Sequence, residues 1–302
     1  MTNVRKSKRL TLPAFPTKMY VFIIPAMAFF LIFWIFPILQ LFYYSLTNFN
    51  GITASYDMVG FKNFKRIWDD STLTNSLSNT MIYAVLMVVF GNLLGLGAAL
   101  LLNTKIRGKT FFRTCCYLPA LFSAIVVGFI WSYVYMPDSG MLSSVLSLFG
   151  IDGSSINILG NYKSALYGIS IVEIWKGFGT TMIIYLAGLQ TIDTSLLEAA
   201  KVDGCSEKQL ITKIKLPLIS STITINVVLN VIAGLKAYDY SFIMTNGGPG
   251  KATKTLMFSI YELAFTNQKM GRASALSVVS FLLIIAITIF MLYFLNKKEV
   301  EV

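Results

Sequence analysis

Apolar residues come in long unbroken runs separated by short polar stretches, with no period-2 alternation over ten-residue segments. A bilayer core is crossed by about 20 apolar residues in a helix, and six runs meet that length: 20–46, 81–102, 114–136, 165–189, 217–235 and 273–295. The pattern predicts an all-α polytopic membrane protein with six transmembrane helices and excludes a β-barrel. The first run is too long for a signal-peptide core and has no small-residue cleavage site after it, so it reads as an uncleaved span, kinked at Pro25 and Pro37. The fifth run carries Thr222, Thr224, Asn226 and Asn230 and is the least apolar.

One polar stretch between the fourth and fifth runs has structure of its own. Ser195-x-x-Glu198 has the spacing of a capping box that opens a helix over 196–203, and Gly204 stands where a left-handed C-cap is wanted. Ser206-x-x-Gln209 is a second box; the helix it opens puts Leu210, Ile211 and Ile214 on one face and ends at Pro217. The prediction is a helix–turn–helix over 194–217 with a small Ala199/Ala200 face, marginal alone and suited to a partner's groove. The plainer alternative is an ordinary loop between spans.

Composition agrees with a lipid environment. Of 302 residues, 55% are hydrophobic and 13% charged, against about 25% charged in soluble domains. The chain has no histidine, which removes imidazole-based triads, relays and metal sites. Cys115, Cys116 and Cys205 have no zinc or disulfide spacing and read as small fillers.

Charge sets an orientation. The side holding both termini and the 194–217 stretch carries fifteen Lys and Arg in about 60 residues; the other carries eight in about 90. The denser side is expected in the cytoplasm. The organisation read here is a basic cytoplasmic segment over 1–19, a six-span domain over 20–295 and a cytoplasmic tail over 296–302. The run Arg5–Arg9 then serves topology or lipid contact, not nucleic acid. Gly108-Lys109-Thr110 echoes a P-loop end, but Asn103 occupies the position of its first glycine, so nucleotide binding by this chain is rejected.

Polar groups inside apolar runs mark a candidate pathway. Glu173, Trp175 and Lys176 lie mid-span, with Glu173 and Lys176 spaced to pair at i,i+3. Asn226 and Asn230 share a face with Gly234, and Lys236, Tyr238, Asp239 and Tyr240 follow. Hydrogen-bonding groups beside aromatic faces suit a sugar, although Asn and Gly in spans also serve as interhelical glue. Gly91-x-x-x-Gly95 reads as a packing ridge, and the segment 254–265 as an amphipathic helix on the outer surface that, with the Gly247-Gly248-Pro249 turn, receives a docked binding protein.

Glu198-Ala199-Ala200-x-x-Asp203-Gly204 followed by Ile214-x-Leu216-Pro217 resembles the EAA loop of membrane subunits of binding-protein-dependent ABC importers. Ile174-Trp175-Lys176-Gly177, Leu186-Ala187-Gly188-Leu189-Gln190 and Thr245-Asn246-Gly247-Gly248-Pro249 with Thr253 and Thr255 resemble its carbohydrate-uptake branch, in particular the first of two permease subunits, as in maltose and glycerol-phosphate importers. Cys205 departs from the alanine usual there. The resemblance implies a bacterial cytoplasmic-membrane permease for a sugar or oligosaccharide. It implies a homologous second permease, an external binding protein and two cytosolic ATPase subunits, which hold the ATP and magnesium; this chain binds no cofactor and is not an enzyme. Glu198, Ala199, Ala200, Asp203 and Gly204 would form the coupling helix and turn, with Glu198 as polar anchor. A polyol or glycerol phosphate is the alternative cargo. A secondary transporter coupled through the charged pairs, or a membrane-embedded enzyme, accounts less well for a docking hairpin.

Overall fold

The computed structural model describes residues 22–104 and 106–297. The basic segment 1–19 and most of the tail 296–302 lie outside them. Helix α1 (Ile24–Ser45) is apolar on all sides. Pro25 begins it, where a missing N–H costs nothing. Pro37 does not break it: the turn before it widens, and the Phe36 amide reaches back five residues to the Leu31 carbonyl. The expected kinks are therefore a helix start and a wide turn.

A short α2 (Lys62–Trp68) leads to α3 (Leu73–Leu102), the second span, which is longer than expected because its polar first turns continue the helix. The third span is not the continuous 114–136 helix expected. It is α4 (Lys109–Leu121) and α5 (Ala124–Val134), bent by 99°. Phe122 and Ser123 are extended, and the Ser123 hydroxyl accepts from the Val126 amide as a fresh N-cap. The apolar run hid this break, but Pro119 followed four residues later by serine was its signal.

Helix α6 (Met141–Leu148) precedes α7 (Ala165–Gln190), the fourth span. Then come α8 (Thr194–Val202), α9 over 207–218, α10 (Ser220–Leu235), α11 (Asp239–Ile243), α12 (Leu256–Thr266) and α13 (Met270–Asn296). Pro217 does not end α9; it sits in the first turn of the 216–218 stretch, and the chain breaks at Ile219 instead.

Contacts at the helix ends fix the sense of each crossing. At one end the Arg113 guanidinium donates to the Leu102 carbonyl at 3.1 Å, and Leu102, Leu186, Leu189 and Ile219 share a core with Ile192 and Leu216. At the other end the Tyr135 hydroxyl donates to Gly168 at 3.3 Å, Thr255 to the Ala237 carbonyl at 2.7 Å, and the Gly271 amide to Phe49 at 2.7 Å. So α4 starts beside the end of α7, and α5 finishes beside its start. The bent pair crosses once, and six elements traverse in alternating sense.

The core lies between α3, α7 and α10, whereas α1 packs on α13 and leaves its apolar surface to lipid. Small residues let the central helices touch. A methyl at Gly95 would fall 2.6 Å from the Thr181 methyl, and one at Gly91 3.1 Å from Asn230 Oδ1, so the Gly91–Gly95 ridge is a packing surface. The segment expected on the outer surface is instead built in. Leu256, Phe258 and Ala264 are buried, the Leu256 amide donates to Thr80, and Ser259 pairs with Ser76 at 2.7 Å. Its charge is held there too: Lys254 Nζ meets both Glu262 oxygens at 2.6 Å.

Candidate functional site

The hairpin begins at Asp193, not at Ser195. Asp193 is extended, and its Oδ1 accepts from the Ser195 amide at 2.9 Å. That bond holds the Asp193 carboxyl below its ordinary range. Ser195 therefore sits inside the first turn, and the expected Ser195–Glu198 box is absent, because the carboxylate two residues earlier competes better for the free amides.

The far end of α8 closes as expected. Gly204 has φ +81°, its amide reaches Lys201 O at 3.1 Å, and the Cys205 amide reaches Ala200 O at 3.0 Å. These are the paired bonds of a Schellman motif. The second box is present: Ser206 Oγ accepts from the Gln209 amide at 3.3 Å, and Gln209 Oε1 accepts from the Ser206 amide at 2.9 Å. Ser206→Ala should cost the hairpin about 1 kcal/mol. Hydrogen exchange at the α9 amides should accelerate by roughly fivefold while α3 is unchanged, and equal protection in both proteins would count against the cap.

The two alanines part company. Ala200 is buried, on a helix that packs against α9, while Ala199 faces out. Leu196, Ala199 and Val202 recur at three-residue steps on the open face, with Val202 87% exposed. Glu198 and Asp203 flank this stripe and are exposed. Leu196 and Val202 were missed from sequence, where each passed as ordinary helix filling; their i,i+6 spacing around Ala199 was the available signal.

Polar residues within the spans fall into two groups. Asn230 is buried in a seam: its amide donates to the Asn226 carbonyl at 2.9 Å and to the Thr181 hydroxyl at 3.3 Å. Gly234 is buried against Ala84 on α3. Both lie in the seam between helices, not at an open face.

The second group gathers where α7, α3 and α11 meet. Tyr83 on α3 donates to Glu173 Oε2 over a long 3.5 Å, and Tyr240 packs with Tyr83, Val172 and Ile174. No direct ion pair joins Glu173 to Lys176 among the described residues; the carboxylate turns to Tyr83 instead. The Tyr240 hydroxyl is buried with no hydrogen-bond partner among the described residues, an arrangement that costs about 1–3 kcal/mol. Trp175 stands edge-on to Trp131 at 5.4 Å and borders an apolar groove of about 660 Å³ along Leu86, Phe90 and Phe178. Lys236 and Asp239 are exposed at the α10–α11 junction, and Tyr238 stacks on Phe242 at 5.4 Å. Tyr83 escaped the sequence reading because a tyrosine in an apolar run looks like core, whereas Tyr240 is where the sequence places it, beside Tyr238 and Asp239.

Comparisons with known proteins bear on this arrangement. Residues 91–300 match the family described as "Binding-protein-dependent transport system inner membrane component". Among curated relatives, the probable starch degradation products transport system permease protein AmyD of Thermoanaerobacterium thermosulfurigenes is 33% identical over 93% of this chain and 95% of its own. The sn-glycerol-3-phosphate transport system permease protein UgpA of Agrobacterium fabrum is 33% identical over 94% and 97%. In fold, the chain matches one from a bacterial ABC transporter involved in import of the acidic polysaccharide alginate, with TM-score 0.82, 24% identity and coverage of 93% and 95%. A bacterial alginate transporter in complex with alginate pentasaccharide-bound periplasmic protein gives 0.80 at 24%, over 91% and 93%.

Proposed function

The chain belongs to the inner membrane components of binding-protein-dependent transport systems, and from that premise we propose how its parts work in sugar import. It is a permease subunit, a transport protein of the membrane and not an enzyme. Its cargo is a sugar or oligosaccharide, the class named by relatives that align over nearly its whole length. A homologous second permease completes the pathway, an external binding protein delivers the cargo, and two ATPase subunits supply the stroke, carrying the ATP and magnesium.

The observation that carries the mechanical part is α8. It is closed by its own caps at both ends and turns Leu196, Ala199 and Val202 outward, exposed among the described residues. An amphipathic stripe of two turns is the shape a groove accepts. Glu198 and Asp203 at its flanks supply orientation, and Gly204 sets the angle at which α9 returns to the membrane. The positive-inside count puts this face in the cytoplasm, where the ATPase resides.

Along the pathway, Glu173 on α7 lies with Tyr83 and Tyr240 next to the junction that carries Lys236, Tyr238 and Asp239, Lys176 follows one turn on, Trp175 turns to the Leu86–Phe90 groove, and Asn230 and Gly234 hold α10 in its seam. The weakly held Glu173 carboxylate offers an acceptor to hydroxyls, and Trp175 offers an aromatic face to C–H surfaces. The 33% identity to a glycerol-phosphate permease keeps that phosphate as the second cargo to test.

The test is uptake in proteoliposomes holding this chain, its second permease and the ATPase, with the binding protein added outside. Labelled maltooligosaccharide should enter only with ATP and the ATPase, and should continue when ionophores collapse the ion gradients. Uptake driven by a proton or sodium gradient without the ATPase would defeat the proposal, and entry of labelled glycerol 3-phosphate alone would reassign the cargo.

A further inference from the structure

On the face opposite the hairpin, the segment after α1 meets the first turn of α13. There Arg66 of α2, Lys269 and Arg272 line a pocket of about 150 Å³ together with Asn48, Asn63 and Gln268. No carboxylate lines it, and among the described residues none lies within 4 Å of these three cationic groups. Three like charges on one concavity repel one another at a cost that an anion removes. The walls are fixed independently of any ligand. Asn63 is 3% exposed and donates to the Ser45 and Thr47 carbonyls at 2.9 and 2.7 Å, Val59 N bonds Leu46 O at 2.8 Å, and Gly271 N bonds Phe49 O.

Depth identifies the anion. Helix α1 ends at Ser45, and the buried apolar run of α13 begins at Ala273, one residue after Arg272. The pocket therefore stands where two spans leave the hydrocarbon, at the level of lipid headgroups. It lies beside α1 and α13, whereas Glu173 and Tyr83 lie between α7 and α3. We propose that this pocket binds a phosphate group, contributed by an anionic phospholipid of the adjoining leaflet. Arg66 and Arg272 present guanidinium forks suited to phosphate oxygens and Lys269 adds a point charge, while Asn48 is held in the wall by Asp57, its Nδ2 donating to Asp57 Oδ2 at 3.3 Å.

The experiment uses the full-length protein purified with its partner subunits in mild detergent. Native mass spectrometry would follow retention of phosphatidylglycerol and of phosphatidylcholine, and 31P NMR line broadening would follow inorganic phosphate. Each of R66Q, K269Q and R272Q should weaken phosphatidylglycerol retention about fivefold, and the triple variant on the order of 100-fold. A K62Q/K65Q variant, which alters the same surface outside the pocket, should retain lipid like the wild type. Broadening of phosphate lost in the triple variant, without selective lipid retention, would keep the phosphate site and overturn the lipid as its source. Equal loss in K62Q/K65Q would reduce the effect to general surface charge and overturn the pocket. Unchanged phosphate and lipid binding in the triple variant, with loss of binding-protein docking, would make the pocket a protein contact and overturn the proposal.

Discussion

Replacing Gly204 with proline should abolish ATP-driven uptake, to below about 5% of wild type, while the protein still inserts and accumulates in the membrane. Gly204 has φ +81°, whereas a proline ring holds φ near −65°. The substitution also removes the amide that bonds Lys201 O and closes α8. A misfit of this kind costs about 3 kcal/mol or more, and a two-turn helix has no such reserve. The spans do not share the cost, because among the described residues, Gly204 and its chain neighbours aside, nothing lies within 4 Å of where a Cβ at 204 would stand. Gly204→Ala isolates the dihedral from the lost amide and should cost about 1–2 kcal/mol, with partial uptake. Glu198→Lys should also block uptake, since it reverses an exposed charge beside the Leu196–Ala199–Val202 stripe without touching a cap. Immunoblots of membrane fractions and uptake by the reconstituted complex would decide. Normal transport by both Gly204→Pro and Glu198→Lys would remove the hairpin from the coupling path.

What could be read in advance followed from how far each signal depends on neighbours. Span number and the Gly204 turn are local: one needs only apolar length, the other a residue that tolerates positive φ. The second capping box is likewise local and formed as read. The first was misread because Asp193 and Ser195 both cap well, and composition alone does not rank two candidates two residues apart. The bend at Phe122–Ser123 was hidden because hydropathy is blind to backbone direction. The 254–265 segment was misplaced for a non-local reason. Its polar residues looked destined for water, but Thr80 and Ser76, nearly 180 residues earlier in the chain, take up the Leu256 amide and the Ser259 hydroxyl. Tyr83 and Glu173 meet for the same kind of reason, across 90 residues, and no spacing rule within one helix predicts them.

The bend also limits how the subunit sits in the membrane. Cys116 and Tyr117 lie against Gly179, near the middle of α7, so the extended residues Phe122 and Ser123 are well inside the bilayer, and they are exposed in the single chain. Lipid offers no hydrogen bonds to such backbone. Backbone of this kind is tolerated at that depth only where protein or water covers it.

Gly95→Leu should destroy the folded core, and Gly97→Leu should be nearly silent. A methyl at Gly95 would lie 2.6 and 2.9 Å from two Thr181 carbons and 3.1 Å from the Met182 amide; one at Gly97 meets nothing outside its own helix turn within 4 Å among the described residues. Overpacking typically costs about 1–3 kcal/mol, and a leucine drives α3 from α7 along the seam that also carries the Thr181–Asn230 and Thr181–Asn226 hydrogen bonds. Each of those bonds adds about 0.6 kcal/mol. A combined loss of about 3 kcal/mol is a large share of a marginal stability, so the Gly95→Leu protein should elute as aggregate in detergent at temperatures where wild type and the Gly97→Leu protein remain monodisperse. A double-mutant cycle tests the cause. Gly95→Ala should be destabilising alone and in part relieved by Thr181→Ala, which removes the Cγ2 methyl it strikes at 2.6 Å and leaves the Cβ at 2.9 Å. Additive losses in the double variant would mean that the clash does not govern the seam, and that Gly95 acts on α3 itself.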